Sequence, residues 1–183
     1  MAQNLLATIL AIIFLSVTLS TLSTQASPKY NFRTMRETRM VLYMHDLETG
    51  RNVTTFPVAG LRNKRWGTVQ FGSVFAVDDK LTEAYEWDSP QAGRARGIYV
   101  SSALDGSDLH LLMSLVFTSR EYNGSTLEIQ GADRDFQKYR EVSVVSGTGK
   151  FRLARGFAVL ETVFLDVPNL NAVLRWNLTV FHY

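Results

Sequence analysis

Residues 124–156 read GSTLEIQGADRDFQKYREVSVVSGTGKFRLARG, and the fold turns on how this stretch is read. Thr126, Leu127, Glu128 and Ile129 alternate polar and apolar, as a half-buried strand does. Gly131 and Ala132 open the backbone, and a dense ionic cluster follows in Asp133, Arg134, Asp135, Lys138, Arg140 and Glu141. A second apolar run over 142–145 enters the turn Ser146-Gly147-Thr148-Gly149, and a third leaves through Phe151 and Leu153. Short strands separated by turn residues predict antiparallel sheet. Charges set between such strands either face water or pair inside a cavity.

Outward from this stretch the β signal continues in both directions. The pattern predicts eight strands: 40–47, 52–59, 67–77, 94–103, 109–122, 125–131, 141–145 with a continuation over 150–164, and 171–182. Pro57 places the second strand at an edge or a bulge. Asp78 and Asp79 close the third, residues 80–92 read as a long loop, and Asn123-Gly124 is the strongest hairpin signal. No segment sustains a 3.6-residue period with caps, so long helices are not expected. The reading is all-β, a sandwich or closed barrel, and eight strands suit an antiparallel up-and-down β-barrel with a central pocket for one small ligand. In the last strand Leu174, Trp176, Leu178 and Val180 share one face, with Arg175, Asn177 and Thr179 on the other. That apolar face either lines the barrel or forms an outer stripe that implies oligomerisation.

The N-terminus has a different character. Residues 5–17 are mostly apolar, too short a run for the roughly 20 residues that span a bilayer, and Thr24-Gln25-Ala26 is a small-x-small cleavage pattern. The expected organisation is a signal peptide over 1–26, an N-terminal arm over 27–38 and a barrel domain over 39–183, with no stable membrane insertion. Sequons at Asn52, Asn123 and Asn177 fit a secreted glycoprotein.

Composition excludes several function classes. The 183 residues carry a net charge of only +2, which does not suggest a nucleic-acid partner. There is no cysteine, so disulfides, thiol catalysis and thiolate zinc are excluded. His45, His110 and His182 lack metal-ligand spacing, and no P-loop, G-x-S-x-G or H-E-x-x-H occurs. Gly147-Thr148-Gly149 lacks the third glycine and following helix of a dinucleotide site and reads as a hairpin turn. Neither metal nor cofactor is expected, and without one the chain is not expected to carry out one-electron oxidation itself. The basic residues are 14 Arg against 5 Lys, a bias that suits planar pairing with carboxylates as well as an ordinary solvated surface. Among the charges on strands, Asp46 ends the first beside His45, and Arg94 and Arg96 begin the fourth. Tyr99 lies on the opposite parity from those two arginines, so only a bulge near Gly97 brings the three together. A buried carboxylate near Arg and Tyr is suited to acid–base work, while a solvated face is the plainer role for each charge taken singly.

Taken in order, the motifs become specific. Tyr43-Met44-His45-Asp46, Phe71-Gly72 with Val77-Asp78-Asp79, Gly93-Arg94-Ala95-Arg96-Gly97-Ile98-Tyr99, Leu115-Val116-Phe117-Thr118 and Gly124-Ser125-Thr126 form the first part of a series. Gly131-Ala132-Asp133, Ser143-Val144-Val145-Ser146-Gly147-Thr148-Gly149 and Ala154-Arg155-Gly156 complete it. The series resembles the plant dirigent family over nearly all of the chain after residue 39. The resemblance implies an eight-stranded antiparallel barrel of the allene-oxide-cyclase-like kind, a homotrimer, secreted to the cell-wall space and N-glycosylated. It implies a protein that holds phenoxy radicals, or the quinone methides formed from them, and imposes regio- and stereoselectivity on their coupling, as in lignan-type biosynthesis. A laccase or peroxidase partner would supply the oxidation. Carried over by motif, the catalytic residues are Asp46, Asp133 and Arg140, and the substrate-binding residues are Arg94, Tyr99 and Ser143. On this reading Asp133 and Arg140 face the pocket, and Arg134, Asp135 and Lys138 occupy a solvated loop at its mouth. The chain departs from the well-known lignan-forming members in lacking a cysteine pair and in carrying Ser101 where they tend to have a second tyrosine. Alternative readings are a lyase that dehydrates through a quinone methide, as a pterocarpan synthase does, and a non-catalytic phenolic-binding protein of the cell wall or of defence.

Overall fold

The computed structural model describes residues 34–183 apart from Arg120 and Asp135. The expected signal peptide, most of the arm and the position of Asp135 lie outside the described residues. Nine strands follow one another: β1 Arg36–Leu47, β2 Thr55–Ala59, β3 Val74–Thr82, β4 Gln91–Ser101, β5 Leu109–Phe117, β6 Thr126–Asp133, β7 Arg140–Thr148, β8 Arg155–Asp166 and β9 Asn171–His182. All neighbours are antiparallel, in the order β1-β9-β8-β7-β6-β5-β4-β3-β2, and β1 also pairs with β3. Eight strands therefore close into a barrel, and β2 is an additional strand laid on the outer edge of the seam. β3 serves two neighbours in turn. Its first half pairs with β2 (Thr55 opposite Val77), and its second half pairs with β1 (His45 opposite Lys80, Tyr43 opposite Thr82).

Pro57 sits in β2 as an edge-strand proline should, and the β2–β3 register shifts between Pro57 and Ala59. The hairpin glycine Gly124 has φ 77°, a left-handed conformation that costs glycine little. The single run expected over 67–77 does not form. Residues 67–73 are turns, held by Gln70 N–H to Gly67 O at 3.0 Å and Gly67 N–H to Ser73 Oγ at 3.1 Å. The strand instead starts at Val74 and runs on through Asp78 and Asp79, which therefore lie in the wall. β7 and β8 are separated by one 3-10 turn at Gly149–Phe151, anchored by the fully buried Phe151 and by Lys150 N–H to Ser125 Oγ at 3.1 Å.

The barrel interior is the core. Leu174, Trp176, Leu178 and Val180 all point inward and are buried, which decides the two-way reading of the last strand. Trp176, Leu160, Ile129 and Leu127 fill the middle, each 0–1% exposed. One end is plugged by aromatic rings, with Phe117, Tyr122, Phe151 and His182 in edge and tilted contacts at 4.9–5.7 Å. Burying a side chain of this size contributes about 1.5–3 kcal/mol, so the plug and the middle layer carry much of the stability. The other end is left open. Gly97 keeps the wall tight between the two: a Cβ there would lie 2.3 Å from the Leu112 carbonyl oxygen. No bulge forms at Gly97, and the β4–β5 ladder is unbroken from Gly93 to Ser101.

Candidate functional site

The open end holds a cavity of about 450 Å³, large enough for one aromatic ligand of modest size. Leu111, Met113, Leu160, Leu174 and Trp176 form its apolar floor and sides. Phe136, Leu165 and Leu170, all exposed, stand at its rim. Polar groups enter from two walls.

On the first wall, Asp133 ends β6 and Arg140 begins β7, so a loop of six residues returns their side chains to the same place. Arg140 Nε meets Asp133 Oδ1 at 2.5 Å, and both side chains are almost fully buried. Arg140 Nη1 also donates to Thr162 Oγ1 at 2.9 Å and reaches the Gln137 carbonyl at 3.5 Å. Arg134 and Lys138 are exposed in that loop, with Lys138 Nζ 3.9 Å from Glu161 at the rim. The ionic cluster of the opening stretch thus divides between cavity and solvent.

On the second wall, β1 alternates Leu42, Met44 and Asp46 toward the interior, and Glu48 continues that side just past the strand. Tyr99 enters from β4, buried and stacked on Phe75 with centroids 4.7 Å apart. Its hydroxyl lies beside the Glu48 carboxylate. Burial, and then the negative charge of Asp46, push the Glu48 carboxyl up to about 7, against the Tyr99 hydrogen bond that pulls it down. Behind Asp46, in the wall itself, Asp79 is fully buried and accepts from Thr54 Oγ1 at 2.6 Å and Thr55 Oγ1 at 3.1 Å. Among the described residues no three side chains are grouped to hold a metal ion.

Four of the six residues singled out in the sequence, Asp46, Tyr99, Asp133 and Arg140, line this one cavity. Arg94 and Ser143 do not join them. Arg94 has outward parity on β4 and, with no bulge to turn it, pairs with Asp78 on the outer wall beside Arg96, whose Nε is 3.0 Å from the same carboxylate. Ser143 is on the solvent side of β7, between the inward Val142 and Val144. Glu48 was missed because Glu48-Thr49-Gly50 reads as a turn. The available signal was its even spacing from Met44 and Asp46. Asn52 and Asn123 lie in exposed turns, and Asn177 is half-buried on the outer face of β9, flanked by Val41 and Val159.

Fold and site together define a β-barrel with an open apolar cup that carries acid groups on one wall and a buried carboxylate–guanidinium pair on the other. Comparison with known proteins gives the class its family. The family model described as Dirigent-like protein matches residues 37–181, and the chain belongs to the dirigent family. It is 34% identical over 172 residues to Dirigent protein 1 of Arabidopsis thaliana, covering 94% of this chain and 93% of that protein. It is 35% identical over 176 residues to Pterocarpan synthase 1 of Glycyrrhiza echinata, covering 95% and 94%. Among solved structures it resembles the pterocarpan synthase dirigent protein GePTS1, with TM-score 0.78 and 34% identity over 87% of this chain and 97% of that one.

Proposed function

We propose that the protein binds phenoxy radicals, or the quinone methides they form, and imposes regio- and stereoselectivity on their coupling, with oxidation supplied by a separate laccase or peroxidase. The observation that carries this reading is the cavity: an apolar cup for an aromatic ring with Tyr99 and Asp46 on one wall and the Asp133–Arg140 pair on the other. Tyr99 and Arg140 hold phenolic or quinone-methide oxygens, and Asp46 or Asp133 gives a proton to that oxygen or takes one as a ring closes. The energy required is small. A 50:1 enantiomer ratio takes about 2.3 kcal/mol of differential transition-state binding, within the roughly 1.5–3 kcal/mol of one hydrogen bond to a charged group.

The test is product enantiomeric excess from a panel of phenols oxidised by laccase, with and without the protein. An excess that appears only with the protein supports the reading, and racemic product from every phenol overturns it. The relatives named pterocarpan synthase motivate a second arm without oxidant, using an isoflavanol. Turnover there would assign dehydration through a quinone methide instead.

The same reading includes secretion after cleavage at Ala26, glycans on Asn52, Asn123 and Asn177, and a homotrimer in the plant cell-wall space. Exposed turns at Asn52 and Asn123 support the glycans there. The exposed cross-strand pair Ile98 and Leu112 on the outer wall supports a subunit contact. Sedimentation of the secreted protein before and after enzymatic deglycosylation checks both.

A further inference from the structure

The side chain behind Asp46 has no part in the mechanism above. β1 and β3 pair as Tyr43 with Thr82, Met44 with Leu81 and His45 with Lys80. The recorded pairing ends there, and the next residues along the two strands are Asp46 and Asp79. Asp46 lines the cavity, and Asp79 is fully buried in the wall. The two carboxyls are close enough for the charge of Asp46 to act on Asp79, and carboxylates so placed do not both ionise readily. The hydrogen bonding of Asp79 is one-sided. Oδ1 accepts from both Thr54 and Thr55, while the buried Oδ2 receives no hydrogen bond.

We propose that Asp46 and Asp79 act as one acid, a cross-strand carboxyl pair that shares a single proton, with Asp79 positioning that proton for Asp46 to deliver to a ligand oxygen in the cavity. The inference rests on the coupling reading above only for the identity of that oxygen. In the step, the O–H bond of Asp46 breaks as the proton bonds to the carbonyl oxygen of a quinone methide, and the electron pair stays on Asp46, so the carboxyl pair passes from one negative charge to two until the proton returns. When a hydroxyl group closes on the benzylic carbon, its proton returns to Asp46, so nothing is oxidised or reduced and the acid is regenerated.

The charged and titratable neighbours are few. Glu48 faces the pair from just after β1, Tyr99 enters from β4, and Arg94 acts through the wall from the outer face of β4. Burial first, and then the charge of Asp46, hold the Asp79 carboxyl well above the usual carboxylate range, against the Thr54 and Thr55 hydroxyls and Arg94, which pull it down. The two threonines come from the start of β2 and the residue before it, which gives the additional strand a function: it supplies the hydroxyls that hold Asp79.

The experiment is a pH titration of 13C-labelled Asp carboxyl carbons by NMR, without ligand, in the unmutated protein, Asp79→Asn and Thr55→Val. In the unmutated protein Asp46 is expected to titrate in two steps, one of them well above the ordinary value of about 3.9. In Asp79→Asn the amide still accepts from Thr54 and Thr55 and donates to Asp46, and the upper midpoint falls by at least about one unit. Thr55→Val removes a donor to the ionised form, so the midpoint rises, and this variant carries the test if Asp79→Asn does not fold. A merely structural Asp79 gives no such opposite shifts. A single ordinary titration of Asp46, unmoved in either variant, overturns the pair even if the protein directs coupling. The opposite shifts establish the pair even if no phenol tested is acted upon, in which case it is the coupling reading that fails.

Discussion

Removing one member of the Asp133–Arg140 pair and removing both are expected to have different effects on stability. The two side chains are 5% and 2% exposed and meet at 2.5 Å. Arg140→Met leaves the Asp133 carboxylate buried without its guanidinium and also removes the donor to Thr162. Breaking a buried pair in this way costs about 3–5 kcal/mol. For a domain of this size 1 kcal/mol is about 2–4 °C in Tm, so a loss of roughly 10 °C is expected, and Asp133→Leu should cost a similar amount. The double variant Asp133→Leu/Arg140→Met removes both desolvation penalties and fills the space with apolar atoms. It is expected to lie within about 1–2 kcal/mol of the unmutated protein. Urea unfolding of all four proteins gives the coupling energy directly. The same four proteins are then assayed for product enantiomeric excess with laccase. The expected outcome is a double variant that is stable and racemic, meaning that the pair is kept for the ligand and not for the fold. Single losses that simply add, or a double variant that keeps its selectivity, would refute the reasoning.

Three further outcomes follow from the same geometry. Glu48 has its native carboxyl raised to about 7 from 4.5, so between those values the folded chain binds more protons than the unfolded one. Its stabilising contribution is complete below about 4.5 and is lost as pH rises through 7. Glu48→Gln should therefore flatten the pH dependence of urea stability in that window, by about 1–2 kcal/mol once solvent screening of this partly exposed group is allowed for. Trp176→Ala opens a void under the cavity floor and should cost about 3–5 kcal/mol, read by thermal unfolding. Ser143→Ala, on the outer wall, should leave enantiomeric excess and Tm unchanged, and a loss of selectivity there would contradict its placement.

Much of the fold could be read in the sequence because strand alternation and turn glycines are local signals. Pro57 at an edge, Asn123-Gly124 in a tight connection and the apolar face of β9 all follow from one or two residues. The start of β3 was misplaced because Gly67, Gln70 and Ser73 form local turns that interrupt an otherwise strand-like run. Parity decided the site. Asp46, Tyr99, Asp133 and Arg140 project inward on their strands, whereas Arg94 needed a bulge that Gly97 does not make. Asp79 reads as a strand terminator in the sequence because a buried carboxylate cannot be expected without its partners. Those partners, Thr54 and Thr55, lie 25 and 24 residues away in sequence.

The shared use of β3 has a consequence for how such a protein can vary. Side chains alternate along a strand with period two, so a slip of one residue where β1 meets β3 would turn Asp46 or Asp79, whichever strand moved, away from the other. The pairing that closes the wall is thus the same pairing that sets the acid groups, and neither can change alone. Phe136, Leu165 and Leu170 at the rim are under no such constraint. The placement of the acid groups is therefore inherited with the barrel, while the shape of the cavity mouth can be rewritten in the loops.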